Sequence, residues 1–250
     1  ALSSAASDVY KRQELLLEKA KEALLTIAEE TGQLETLFLV GLPVDKDGRL
    51  YNVAAVLYRG RILGMIPKKN IPMYAEFYEG RHFTPGEETV TEYRLGKQVI
   101  PFGSNLLFRC EELPELILGC ELCEDLWVAE PPSTSHALMG ATVIANLSAS
   151  NETVSKDDYR TLLIKASSAR LLCGYIYTSA GEGESTQDLV FGGHDLIAEN
   201  GTLLVQSARF TTGILYTDLD VLKISSERRR MGTFGERPMK PYLTCLLYTS

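Results

Sequence analysis

The 250 residues are enough for one large domain, and a hydrophobic content of 45% allows a sizeable core. The net charge of -8 argues against a general nucleic-acid binder, and no apolar run reaches the roughly 18 residues that a membrane span needs. Five cysteines, an odd number scattered through apolar segments, indicate reduced thiols in a cytoplasmic protein rather than a disulfide framework.

The predicted elements alternate between helices and strands. Apolar residues at helical spacing predict a first helix over residues 15–27, and later helices are expected near residue 136, over 157–172 and after residue 220. Asn200–Gly201 is typical of a hairpin turn. Buried strands are expected at residues 36–44, 51–58, 61–67, 105–110, 115–120, 141–147, 174–181 and 213–220, and residues 67–104 are predicted to be one long loop. This order predicts a layered α/β domain with the sheet inside.

The stretch LILGCELCEDLW carries Cys120 and Cys123 at C-x-x-C spacing. Three interpretations are open: half of a zinc site, a redox pair, or one nucleophile beside an unrelated core thiol. A zinc site needs about four converging ligands, whereas the histidines and Cys173 are isolated in the sequence. A redox pair usually opens a helix, whereas Cys120 ends an apolar strand.

As a lone nucleophile, Cys123 would stand just past a buried strand, where a turn can present its sulfur. The acidic Glu124 and Asp125 that follow oppose thiolate formation, so a reactive sulfur would need a cation or a base nearby. Lys68 comes directly after another apolar strand, at the mouth of a loop, where sheet-based active sites tend to lie. The same loop offers Tyr74, Glu76 and Glu79.

Other signatures are missing from the sequence. It holds no phosphate-binding loop, no strand-linked G-x-G-x-x-G and no G-x-S-x-G elbow, which disfavours nucleotide binding and serine hydrolysis in these residues. No metal ligand set is expected. The one basic run, Arg228–Arg230, is interpreted as the solvated end of a helix.

Four motifs together resemble the glutaminase domain of the glutamine-dependent NAD⁺ synthetases. They are PKKNIPMYAEFYEGRHFTPG, CELCEDLW, ANLSASNETVSKDDYR and YTSAGEGESTQDLVFGGHDLIAENG, within residues 14–240. The resemblance implies the αββα sandwich of the nitrilase superfamily, a homo-oligomer and a domain that hydrolyses L-glutamine. It further implies a separate synthetase domain, where ATP and Mg²⁺ act, and no cofactor in the domain at hand.

The resemblance also implies roles for individual residues. Cys123 is expected to be the nucleophile, Lys68 the lysine of a Glu-Lys-Cys triad and Glu79 a supporting carboxylate. The backbone N–H of Glu124 would complete an oxyanion hole. The expected contacts with the substrate come from Tyr74, Glu124, Trp127, Ser150 and Lys156.

The chain departs from the family pattern at two points. The triad glutamate is expected in a strand-end motif of the type PELG, N-terminal to residue 14, and no such motif occurs. The pyrophosphate loop of the synthetase domain is also missing from the sequence. We therefore expect a hydrolase domain over residues 14–243, truncated at its N-terminus, with non-native ends at residues 1–13 and 244–250. Such a piece would be impaired as a glutaminase and unable to make NAD⁺. Two alternatives are a free-standing hydrolase of another amide and a non-catalytic interaction module.

Overall fold

The computed structural model describes residues 14–185, 188–235 and 241–247. They form the expected αββα sandwich, in which two β-sheets face each other and helices cover the outer faces. None of the described helices is long and apolar enough to cross a membrane. The helices are α1 Glu14–Glu30, α2 Pro132–Leu138, α3 Lys156–Leu171 and α4 Val221–Arg230.

The first sheet has five strands in the order β1-β2-β3-β5-β4. The strand β2 is buried over most of its length, which explains its continuous apolar sequence. A tight turn at Arg59–Gly60 joins β2 to β3, with φ angles of 46° and 76°. The strands are β1 Phe38–Lys46, β2 Arg49–Tyr58, β3 Arg61–Pro67, β4 Thr91–Leu95 and β5 Gln98–Phe102.

The second sheet has seven strands in the order β11-β10-β9-β8-β7-β6-β12. Its centre, β7-β8-β9, is parallel and covered on both faces. The predicted hairpin is confirmed: Asn200 and Gly201, both at positive φ, join β10 to β11. The strands are β6 Leu106–Cys110, β7 Ile117–Leu122, β8 Val143–Ser148, β9 Gly174–Ser179, β10 Leu196–Glu199, β11 Thr202–Gln206 and β12 Leu243–Leu247.

Three apolar layers hold the sandwich together. Leu24 of α1 packs on the outer face of the first sheet. The layer between the sheets includes Ile66 and Cys120, and the layer under α2 and α3 includes Ile164 and Tyr175. Because side chains alternate along a strand, neighbouring residues of β7 face different layers.

Three expectations were wrong. Residues 67–104 are not one loop, since they contain β4 and β5; charged residues on the outer face of these strands hide the alternation of Tyr93 and Leu95. Residues 213–220 form no strand, since none of the described strands pairs with them, and Tyr216 is 84% exposed. Arg228 is not a solvated helix end, because its guanidinium donates to backbone carbonyls of the domain interior.

The expected ends are only partly visible. Residues 1–13 and 248–250 lie outside the described residues. Residues 243–247, which overlap the expected non-native tail, form β12 and pair in parallel with β6. This apolar stretch covers an otherwise open edge of the second sheet, where unpaired backbone groups favour strand addition. The domain boundaries stay predictions.

Candidate active site

The predicted site residues converge where three strands end. Lys68 follows β3, Cys123 follows β7 and Ser150 lies two residues beyond β8. A pocket of about 340 Å³ opens beside them. Six of the eight predicted residues line this pocket, and Lys68 and Glu79 lie behind it. The lining residues that the prediction named are Tyr74, Cys123, Glu124, Trp127, Ser150 and Lys156.

Cys123 begins a short 3-10 helix, Cys123–Leu126, and has a left-handed backbone with φ of 44°. This conformation is uncommon for residues other than glycine and occurs often at functional sites. Its backbone N–H donates to Asn146 Oδ1 at 3.2 Å. The turn places Cys123 in the wall of the pocket, partly exposed.

Cys120 lies in a different environment. Its side chain is 1% exposed in the layer between the sheets, and burial raises the pKa of its thiol well above the ordinary value. All five cysteines are free, and within the described ranges no group of three histidine, cysteine or acidic residues could hold a metal. The geometry thus favours one candidate nucleophile and one core thiol.

A buried ion pair lies close to Cys123. Lys68 is fully buried, and its Nζ donates to Glu79 Oε2 at 2.6 Å. Burial alone lowers the pKa of Lys68, but the negative charges of a Cys123 thiolate and of Glu79 outweigh it, so the pKa is raised. Lys68 is therefore an ammonium ion at neutral pH. In that form it can stabilise negative charge next to Cys123.

Asp125 ties the nucleophile turn to the loop after β3. Its Oδ1 accepts from the backbone N–H and the side-chain amide of Asn70, both at 2.8 Å, and its Oδ2 accepts from the N–H of Leu122 at 3.0 Å. The carboxylate is 1% exposed. The expectation from the sequence rested only on the charge of Asp125 and not on its bonds to Asn70. Asn70 lies more than fifty residues away in sequence, so nothing in the sequence indicates this contact.

One end of the pocket is acidic. Tyr74 Oη donates to both oxygens of Glu124, at 2.9 and 3.0 Å. Burial raises the pKa of Glu124, while the bond from Tyr74 and the charge of Lys68 lower it, and the net direction is upward. Burial and the neighbouring carboxylate also raise the pKa of Tyr74 far above its usual range. Tyr74 therefore remains a neutral donor.

The same pocket is also lined by a lysine, Lys156. Lys156, the first residue of α3, has its Nζ 5.4 Å from the ring centre of Trp127 and 5.6 Å from that of Phe77. It donates to Asn151 Oδ1, and Asn151 Nδ2 donates to Glu76 at 2.5 Å. Burial lowers the pKa of Lys156, the charge of a Cys123 thiolate raises it, and the net direction is downward.

Sequence reasoning missed Arg160 altogether. This fully buried arginine donates to Glu152 at 2.9 Å and to the Ser150 hydroxyl at 3.3 Å, and its Nη1 lies 3.0 Å from His194 Nδ1. Arg160 therefore holds residues 150–152 of the loop after β8 in place. Its position four residues after Lys156, one helical turn along α3, was the only available signal.

The sandwich and its cysteine pocket match a known family. Residues 4–229 fit the family model of the carbon-nitrogen hydrolases, and the chain belongs to this family. It is 44% identical over 226 residues to the glutamine-dependent NAD(+) synthetase of Mycobacterium tuberculosis, an alignment that covers 90% of this chain and 33% of that protein. The chain thus spans about a third of the length of such relatives.

Solved structures agree on the fold. A crystal structure of a glutamine-dependent NAD(+) synthetase from Cytophaga hutchinsonii matches 81% of this chain and 32% of that chain, with a TM-score of 0.71 and 26% identity. Saccharomyces cerevisiae Nit3, a member of the nitrilase superfamily, matches 87% of this chain and 71% of that chain, with a TM-score of 0.63 and 17% identity. The expected nitrilase-type fold is confirmed, whereas the roles of the site residues stay predictions.

Proposed function

We propose that this domain hydrolyses the side-chain amide of L-glutamine and releases ammonia. The observation that carries the proposal is the placement of Cys123 in a small pocket with a buried lysine–glutamate pair behind it. The lining of the pocket includes the carboxyl groups of Glu76 and Glu124 and the amine of Lys156. The names of the relatives, which are glutamine-dependent enzymes, support the same substrate.

The proposed reaction forms and then breaks a thioester. The Cys123 sulfur attacks the amide carbon while a general base takes the thiol proton, and the carbonyl oxygen becomes an oxyanion. The ammonium of Lys68 and the backbone N–H of Glu124 stabilise that oxyanion. The tetrahedral intermediate expels ammonia, whose nitrogen receives the proton, and leaves a glutamyl thioester. Water then hydrolyses the thioester to glutamate and the free thiol.

Lys68 is assigned an electrostatic role because its ammonium is held charged by Glu79. Such a preorganised cation stabilises the transition state without reorienting during the reaction. Removing the charge would therefore lower kcat more than it raises KM.

Recognition of the amino acid follows from charge. The α-ammonium of glutamine pairs with Glu124 and Tyr74, and its α-carboxylate pairs with Lys156 and the Ser150 hydroxyl. Trp127 forms an aromatic wall beside Lys156. A substrate without both charged groups would leave one end of the pocket unpaired, which costs binding energy.

In the whole protein, we propose that the ammonia serves a synthetase domain. That domain would use ATP and Mg²⁺ to amidate nicotinic acid adenine dinucleotide to NAD⁺, in a cytoplasmic homo-oligomer. The glutamine-dependent NAD(+) synthetase relatives, about three times as long as this chain, support the assignment. No cofactor is proposed for the hydrolase domain itself.

The test is ammonia release by the complete protein from glutamine, asparagine and simple aliphatic amides. Cys123→Ala is expected to abolish release from glutamine, and Cys120→Ala, the matched neighbouring change, is expected to retain it. Preference for glutamine over the other amides supports the assignment. Equal release by the Cys123→Ala variant would refute the mechanism, and preference for another amide would refute the substrate.

A further inference from the structure

A chain of buried polar side chains runs beneath Cys123 and has no part in the reaction as proposed. Glu121 lies on β7, Asn146 stands opposite it on β8, and Tyr175 lies on β9. All three are buried, with exposures of 1%, 1% and 0%. Burial of a carboxylate, an amide and a phenol costs desolvation energy unless these groups form hydrogen bonds. The pattern of their hydrogen bonds therefore indicates their role.

The hydrogen bonds run in one direction. The Cys123 backbone N–H donates to Asn146 Oδ1 at 3.2 Å, and Asn146 Nδ2 donates to Tyr175 Oη at 3.4 Å. Tyr175 O–H in turn donates to Glu121 Oε1. The other carboxylate oxygen of Glu121 accepts from the backbone N–H of Ser133 in α2, at 2.8 Å. The chain thus starts at the Cys123 backbone and ends at Glu121, whose carboxyl group is an anion at pH values above its raised pKa of about 7.

The direction matters for Asn146. An asparagine amide can present either its oxygen or its NH₂ group to a neighbour. Because the proton of Tyr175 goes to Glu121, the Tyr175 oxygen is an acceptor, and it holds the NH₂ group of Asn146 on its own side. The amide oxygen then faces the Cys123 N–H, and the Ser148 hydroxyl donates to the same oxygen at 2.7 Å.

Cys123 needs such support, because a left-handed backbone is strained for a non-glycine residue and persists only when its surroundings fix it. We propose that Glu121 and Tyr175 are positioning residues, which act through Asn146 to fix the backbone of Cys123 and so aim its sulfur into the pocket. The inference rests on the proposed function of Cys123 as the nucleophile. Neither residue touches the substrate pocket.

A neutral carboxamide at residue 121 would reverse the chain. In Glu121→Gln, the fixed N–H of Ser133 keeps the single amide oxygen, so the Gln NH₂ group faces Tyr175 and donates to it. The Tyr175 proton then points toward Asn146, whose amide must turn over and present NH₂ to the Cys123 N–H. The change alters no volume, which keeps the core packing intact.

The first experiment measures kcat and KM for glutamine with Tyr175→Phe in the complete protein. We expect kcat to fall by about 10- to 100-fold, as for a small displacement of a reacting atom, with KM within about twofold of wild type. The control is Tyr58→Phe, a buried tyrosine of the first sheet whose hydroxyl makes no hydrogen bond with any described residue. A kcat for Tyr175→Phe equal to that of the control overturns the inference, as does a loss carried by KM.

The second experiment is a double-mutant cycle of Glu121→Gln and Tyr175→Phe. If both act through one chain, the double variant loses no more activity than Tyr175→Phe alone. Independent losses that multiply would overturn the relay. Thermal unfolding of each variant separates loss of stability from loss of alignment. Cys123→Ala in the same assay distinguishes failure of the inference from failure of the proposed function. If Cys123→Ala remains active, the proposed function is wrong. If Cys123→Ala is inactive while Tyr175→Phe is fully active, only the positioning role of Glu121 and Tyr175 is wrong.

Discussion

Replacing Arg228 with methionine is predicted to destabilise the domain strongly. The Arg228 guanidinium donates to Leu172 and Leu171, at the end of α3, and to Ala141, before β8, at 2.9, 2.9 and 2.6 Å. It also lies 4.7 Å from the ring centre of Phe234. Burial lowers its pKa to about 10, so the group is still charged at neutral pH. Methionine keeps the apolar stem and removes every donor.

The magnitude follows from these contacts. Three charge-assisted bonds at about 1.5 kcal/mol each, the lower end for charged donors, give about 4.5 kcal/mol. The aromatic contact adds about 0.5 kcal/mol, and the restored hydration of a half-buried charge and of the freed carbonyls offsets roughly 2 kcal/mol. The expected loss is about 3 kcal/mol. With an m-value of about 3 kcal/mol per M, the urea midpoint should fall by about 1 M.

The assay is urea unfolding followed by far-ultraviolet circular dichroism. Arg229→Met is the matched control, since it makes the same change at an exposed position one residue along α4. Its midpoint should stay close to that of wild type. Equal midpoints for Arg228→Met and Arg229→Met would refute the argument that the carbonyl contacts of Arg228 hold the end of α3 against the segment before β8.

Three further predictions concern charged groups. Glu79→Gln removes the negative charge that faces the buried ammonium of Lys68 but keeps a hydrogen-bond acceptor there. The free energy of unfolding should therefore fall by about 1–3 kcal/mol, and kcat should fall as well. The control is Glu88→Gln, at a half-exposed ion pair, which should change the free energy of unfolding by less than about 0.5 kcal/mol. Equal losses for Glu79→Gln and Glu88→Gln in urea unfolding would contradict the prediction. Lys156→Met should raise the KM for glutamine at least about tenfold in steady-state kinetics, because it removes the cation that binds the α-carboxylate. Lys165→Met, at an exposed position on the same helix, should leave the KM unchanged. Burial raises the pKa of Glu121 from 4.5 to about 7, so the folded state binds the extra proton in that window. The stability advantage of wild type over Glu121→Gln, measured as the difference between their free energies of unfolding, should therefore fall as the pH rises from 4.5 to 7. A difference that grows over this pH range would contradict the prediction.

The sequence located the candidate site because its residues follow recognisable strands. Cys123 and Lys68 each come directly after an apolar run, and the strands that they follow, β7 and β3, lie in the two facing sheets. The resemblance supplied the rest of the pocket, including Tyr74 and Ser150. The structure brings these residues together, as expected from the motifs.

The supporting residues could not be found in this way. Asn146 and Asp125 act on backbone groups 23 and 55 residues away along the chain, and sequence spacing carries no record of such contacts. The strands β4 and β5 were missed because Glu92, Arg94 and Lys97 interrupt the apolar pattern. Residues 213–220 had a strand-like pattern but no neighbouring strand with which to pair.

The most direct test of the central claim is covalent labelling. The complete protein would be incubated with a diazo-ketone analogue of glutamine, and the adduct would be mapped by peptide mass spectrometry. We expect one adduct, on Cys123, that glutamine prevents, with Cys120 unlabelled because its thiol is buried between the sheets. A folded protein labelled at another cysteine, or labelled at Cys123 regardless of added glutamine, would contradict a glutamine pocket built around this nucleophile.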